Sequence, residues 1–150
     1  MYKRDHAKEP EMTAQEIIER LNLQRHPEGG WFSETWRADN PGRATGTCIY
    51  FLLQAGERSH WHKVDATEIW LFHVGAPLIL SISETGQGPA HDHVLTPDLD
   101  QGFPQLIVPK SHWQAARSTG KYTLVSCAVS PGFEFGGFEL AKPDFDIPRA

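Results

Sequence analysis

Residues 56–75 read Gly56-Glu57-Arg58-Ser59-His60-Trp61-His62-Lys63-Val64-Asp65-Ala66-Thr67-Glu68-Ile69-Trp70-Leu71-Phe72-His73-Val74-Gly75. On a strand, histidines at i and i+2 point to one face with Cα atoms about 6.5 Å apart. His60 and His62 are therefore expected to face a common ion, and Glu68, at the start of the next strand, adds a carboxylate from a neighbour. Two imidazoles and one carboxylate with positions left open suit non-haem Fe(II), and also Mn, Ni or Zn. Taken alone the spacing is a weak signal, and it also fits histidines beside a turn and a solvated glutamate at a strand end.

Outward from this segment the chain alternates apolar and polar residues with period two. Trp31 to Arg37, Thr47 to Gln54, Thr67 to His73, Pro77 to Ser83, Leu106 to Val108, His112 to Arg117 and Tyr122 to Ser130 each read as strands. Turn signals such as Asn40-Pro41-Gly42 and Ser118-Thr119-Gly120 separate them. Thirteen Gly and 11 Pro placed between such short runs point to an all-β sandwich, jelly roll or barrel. Glu84 to Pro104 reads as a long surface loop with one further strand around His93 to Leu95. His91-Asp92-His93 lies there without a following carboxylate strand and reads as solvated.

One helix is expected. Thr13-Ala14-Gln15-Glu16 fits a capping box, and Ile17, Ile18 and Leu21 follow at helical spacing. His26-Pro27-Glu28-Gly29-Gly30 then forms a turn. It either only redirects the chain into the first strand or brings His26 and Glu28 over the barrel mouth. Pro131-Gly132-Phe133-Glu134-Phe135-Gly136-Gly137-Phe138 carries three phenylalanines among three glycines. It reads as a segment docked on the barrel or on a second subunit, or as an aromatic lid.

The chain has 150 residues and a formal charge of −5, one domain's worth of sequence with enough length for a core of its own. Residues 1–12 are expected to be a flexible lead and 13–150 a single domain. No stretch is dense in Lys or Arg, so nucleic acid is not expected as a partner. No secretory leader or membrane span is expected, and Cys48 and Cys127 fit reduced, inert thiols of a cytoplasmic protein. No GxSxG elbow, P-loop or GxGxxG fingerprint is present.

Gly56, His60, His62, Glu68 and Gly75 resemble the first signature of the cupin superfamily, with a short first interval and a long gap before Glu68. Gly102, Pro109, Ser111, Gln114 and Ser118 resemble the second, with Gln114 where a ligand histidine is usual. His26 to Phe32, Glu68-Ile69-Trp70, Trp113 to Ala116 and Pro131 to Phe135 are similar to one family of small single-domain cupins of unknown function, which groups with sugar-nucleotide epimerases. The resemblance implies an all-β double-stranded β-helix, the cupin jelly-roll barrel, with one short N-terminal helix, commonly as a homodimer. It also implies a divalent metal (Fe, Mn, Ni or Zn) held by His60, His62, Glu68 and Gln114. Gln114 weakens that set, because a neutral amide oxygen replaces an imidazole. His112 is a substitute donor two residues earlier, and Tyr50, Trp70 and Phe72 are candidate pocket walls.

Three functions remain open from the sequence. The first is a metal-dependent isomerase, lyase or oxygenase acting on a small polar metabolite. The second is metal-free epimerase-like chemistry with His62 as base and Glu68 orienting it. The third is a small-molecule-binding module without catalysis.

Overall fold

The structure, a computed structural model, describes residues 11–149, so residues 1–10 of the expected flexible lead lie outside the described residues. The helix α1 spans Ala14–Arg20. The Thr13 hydroxyl accepts from the Glu16 N–H at 3.2 Å and donates to Glu16 Oε1 at 3.2 Å, so Glu16 reaches the hydroxyl rather than the Thr13 backbone N–H. Ile17 and Ile18 are buried with Leu23 against Leu52, Tyr122 and Leu124. Burying each large aliphatic side chain contributes about 1.5–3 kcal/mol, which pins a helix too short to persist alone.

Among the described residues eleven strands follow: β1 (Gln24–Arg25), β2 (Trp31–Arg37), β3 (Thr47–Gln54), β4 (Arg58–Val64), β5 (Thr67–Gly75), β6 (Leu78–Ser83), β7 (His91–Leu95), β8 (Gln105–Val108), β9 (Trp113–Ser118), β10 (Tyr122–Ser130) and β11 (Phe138–Leu140). They form one sheet in the order β1-β2-β3-β10-β5-β8 and a second in the order β11-β4-β9-β6-β7. Every pairing between these strands is antiparallel. The architecture is an all-β jelly roll with one short N-terminal helix. β1 and β11 are too short to carry a readable alternation, and they add to the sheet edges. No helix among the described residues is long and apolar enough to cross a membrane.

Strand parity decides which side chains enter the barrel. On β3, Phe51 and Leu53 point inward to a core that includes Trp70, Leu78, Leu80, Leu95, Val108 and Val125, whereas Leu52 and Tyr50 pack outward under α1. On β6, Leu78 and Leu80 are fully buried in that same core. A third cluster of Trp61, Ala90 and Ile147 covers the outer side of the second sheet. Chain ends and loops thus clothe both sheets, leaving one stretch of the interior without apolar filling.

Candidate functional site

That stretch is built from the turn after α1. His26 N–H donates to the Gly30 carbonyl at 2.9 Å and Gly29 N–H to the His26 carbonyl at 3.0 Å. Gly29 and Gly30 have φ of +108° and +78°, a region L side chains rarely adopt. A Cβ on Gly29 would collide with the Arg58 carbonyl, and one on Gly30 would crowd the Leu52 carbonyl. The tight seat brings the Glu28 carbonyl to the His60 N–H at 2.8 Å and sends the Glu28 side chain into the interior, 8% exposed. The turn therefore does more than redirect the chain.

His62 meets it there. Glu28 Oε2 lies 2.7 Å from His62 Nε2, and His62 Nδ1 is 2.7 Å from the His60 carbonyl. A carbonyl only accepts, so Nδ1 carries a proton. Burial pulls the imidazole down, but the charge and hydrogen bond of Glu28, with Glu68 and the His60 carbonyl adding, outweigh it and push His62 up to about 9. Burial pushes the Glu28 carboxyl up, yet His62 wins and holds it below the usual range. The pair is a carboxylate and an imidazolium at neutral pH. His26, kept neutral chiefly by burial, accepts from the Glu28 N–H at 3.1 Å.

His60 does not join them. Ser59 pairs with Ala116 and His62 with Gln114, three residues on β4 against two on β9, so a β-bulge lies between. One extra residue breaks the period-two rule. His60 and Trp61 both turn to the outer face, where His60 Nε2 lies 2.7 Å from the Lys142 carbonyl and Trp61 packs on Ala90 and Ile147. The common face expected for the two histidines is absent for this reason.

Glu68 does reach the interior. Gln114 Nε2 donates to Glu68 Oε1 at 3.3 Å, and Trp70 Nε1 donates to Gln114 Oε1 at 2.9 Å. The indole N–H orients the amide, and the amide orients the carboxyl. Burial pushes Glu68 up to about 7; His62 pulls it down but does not outweigh burial and the neighbouring Glu28 charge. The Cys127 thiol beside it is pushed well up, first by burial and then by Glu68, so Cys127 stays an unreactive thiol.

These groups border a cavity of about 270 Å³ lined by His26, Glu28, His62, Glu68 and Cys127 together with Phe32, Ile49, Val64, Val129, Phe133 and Phe138. The C-terminal segment docks on its own barrel: Phe133 N–H donates to Thr47 Oγ1 at 2.9 Å, and Arg43 Nε donates to the Gly132 carbonyl at 2.8 Å. Phe133, Phe135 and Phe138 form mutual edge-to-face contacts with centroids 5.0–6.2 Å apart. Docked segment and cavity wall are thus the same element. Arg37, paired with Glu34 at 2.8 Å, stands with Glu134 at the cavity lining.

Of the residues singled out in the sequence, His62, Glu68 and Gln114 gather here, with Trp70 beneath them as core. Tyr50 lies outside the barrel under α1, its ring 6.0 Å from that of His73. Phe72 keeps the inward parity of Glu68 and Trp70 along an unbroken stretch of β5 but packs on the core cluster and does not line the cavity. His112 sits in the turn before β9, its N–H on the Pro109 carbonyl at 3.1 Å, and does not line the cavity. Glu28 is the principal addition, and the two consecutive glycines after it were the signal.

The metal expected from the resemblance does not fit this arrangement. His60 is turned away, both nitrogens of His62 are engaged, and the Gln114 oxygen accepts from Trp70. Among the described residues no group of three or more His, Cys, Asp or Glu is placed to hold an ion.

Comparison with known proteins agrees with the fold. A Shewanella oneidensis protein of solved structure is 36% identical, with TM-score 0.83 over 88% of this chain and 86% of that one. A hypothetical protein from Leishmania major is 31% identical, with TM-score 0.78 over 87% and 88%. Oxalate decarboxylase from Bacillus subtilis shares the fold at 13% identity and TM-score 0.60, over 77% of this chain and 29% of its own. No curated protein matches the chain. Residues 15–141 match the family described as Cupin superfamily (DUF985), and the chain belongs to that family.

Proposed function

We propose that this cupin binds a small molecule in the barrel cavity and moves a proton on it, with Glu68 as the exchanging group. The observation that carries this reading is the pair of buried ionisable groups with separated affinities for protons: Glu68 pushed up to about 7 beside His62 pushed up to about 9. Near neutral pH, Glu68 is divided between acid and base, which suits it to take a proton and return it. His62 has no free ring nitrogen with which to act as base. Fixed between Glu28 and the His60 carbonyl, it supplies positive charge that offsets the negative charge developing on the substrate. The phenylalanine wall holds an apolar part of the ligand and keeps water out. Isomerisation or epimerisation next to a carbonyl is the matching reaction class.

The test is proton exchange. Keto- and aldo-sugars and small 2-oxo acids are incubated with the protein in deuterated water, and loss of C–H signal is followed by NMR. Exchange on at least one compound is expected, falling by about a hundredfold or more in Glu68→Gln. Ligands that raise the melting temperature with no exchange anywhere in the panel would favour the non-catalytic binding module. A metal-dependent reaction would require His62 to lose its proton and leave Glu28, a cost added to ion binding. After reloading with Fe, Mn, Ni and Zn, less than about a tenth of an equivalent is expected to stay bound, and a full equivalent would overturn the metal-free reading. Homodimer formation is a further proposal, supported by exposed Phe103 and Ile107 beside and on the edge strand β8; light scattering of Ile107→Lys, expected to be monomeric, checks it.

A further inference from the structure

On the outer face of the second sheet, away from the barrel cavity, Arg58 of β4 and Arg117 of β9 stand directly opposite each other, with Ile79 of β6 next in the row. Like charges in that position repel at close range. Neither arginine forms a salt bridge with a carboxylate among the described residues. Among the described residues, the one hydrogen bond from either guanidinium is a long one, from Arg58 Nη2 to the Pro143 carbonyl at 3.5 Å. Both line a cleft of about 160 Å³ together with His60, Asp146 and Arg149.

The other charges in this cleft are already matched. Asp146 Oδ1 accepts from Trp61 Nε1 at 2.8 Å and from the Ile147 N–H at 2.9 Å. Arg149 is held by Asp92 at 3.2 Å, Asp146 at 3.4 Å and the Ile147 carbonyl at 3.0 Å. His60 donates through Nε2 to the Lys142 carbonyl, and its Nδ1 is buried without a partner. Two forked donors therefore border the same small concavity with no salt bridge of their own among the described residues. We propose that this cleft is a second binding site, for a phosphoryl-type oxyanion, either free phosphate or the phosphate group of a small metabolite. Guanidinium forks match phosphate oxygens two at a time, and an anion between Arg58 and Arg117 turns their repulsion into attraction.

Inorganic phosphate is the first probe. Titrated against the full chain at constant ionic strength, with the Arg side-chain N–H signals followed by NMR, it is expected to bind saturably, and glycerol phosphate is run alongside. Binding by phosphate alone identifies the free anion as the occupant, and tighter binding of the ester identifies a phosphorylated metabolite. Arg58→Gln and Arg117→Gln are each expected to weaken binding about tenfold. In phosphate-free, low-salt buffer the same variants are expected to melt no lower than the wild type, since repulsion is relieved. Arg117→Lys, which keeps the charge and loses the fork, weakens binding by a similar factor. Glu68→Gln leaves it unchanged. Absence of saturation up to tens of millimolar, undiminished binding in the double Gln variant, or loss of binding in Glu68→Gln would overturn the proposal.

Discussion

Along β6 and β9 the barrel interior changes character within a few residues. Leu78 and Leu80 pack with Phe51 and Leu95 at 1% exposure or less. Two rows further, where Ile82 faces Gln114, Glu28, His62, Glu68 and Gln114 are nearly as buried, at 1–8% exposure. The first region excludes water by matching apolar volumes. The second is equally dry but holds charge, which burial makes costly unless each group is paired. The comparison teaches that the site is held by mutual satisfaction of polar groups, so a single deletion there should do more harm than a large truncation in the core.

Glu28→Gln gives the largest expected effect. It strips the counter-charge from a buried imidazolium, for which breaking a buried pair costs about 3–5 kcal/mol. Chemical denaturation measures the loss, and an NMR titration of His62 should show its pKa falling from about 9 toward or below the ordinary histidine value. The double change Glu28→Gln with His62→Gln should recover much of the stability. If the single variant loses less than Leu80→Ala, the polar region is not what holds itself together.

Leu80→Ala comes next, at about 3 kcal/mol from lost burial and a residual cavity. Ligand-induced shifts in melting temperature should survive it. Gly29→Ala follows, at about 2 kcal/mol from a left-handed φ and a clash with the Arg58 carbonyl. Unlike Leu80→Ala, it should also displace Glu28 and lower the His62 pKa.

A further effect is one of pH. Glu68, raised to about 7 from an unfolded value near 4.5, favours the fold fully only below about 4.5 and loses that contribution as pH rises through about 7. His62, raised to about 9 from about 6.5, contributes fully below about 6.5 and loses it as pH rises through about 9. Stability should therefore decline from pH 5 to 9. Glu68→Gln should flatten the part below about pH 7 and leave the upper part. An unchanged slope would place the ionisation elsewhere.

Much of the fold was legible. β2, β3 and β10 span the residues that the apolar runs and flanking turn residues delimit, although register shifts interrupt β2 between Glu34 and Trp36 and the β10–β5 pairing between Leu124 and Val125. The site was half legible: Glu68 and Gln114 follow strand parity into the interior. The pairing of His60 with His62 failed on a single inserted residue, since a bulge at Ser59 to His62 has no local sequence signature strong enough to override an apparent alternation. Phe72 follows parity into the interior but lies at the apolar end of the barrel, and Tyr50 takes the opposite face of β3 from Phe51, under α1.

The amino-acid sequence by itself determined the strand pattern, the capped helix and the family resemblance, since local alternation, turn residues and capping chemistry act over a few positions. Only the tertiary structure decided that Glu28, 34 residues before His62, is its partner, and that two arginines of separate strands face each other on the opposite side of the sheet. Those placements depend on strand register and on backbone contacts between distant segments. Desolvation, which sets the charge of each buried group, exists only once the chain has closed around it.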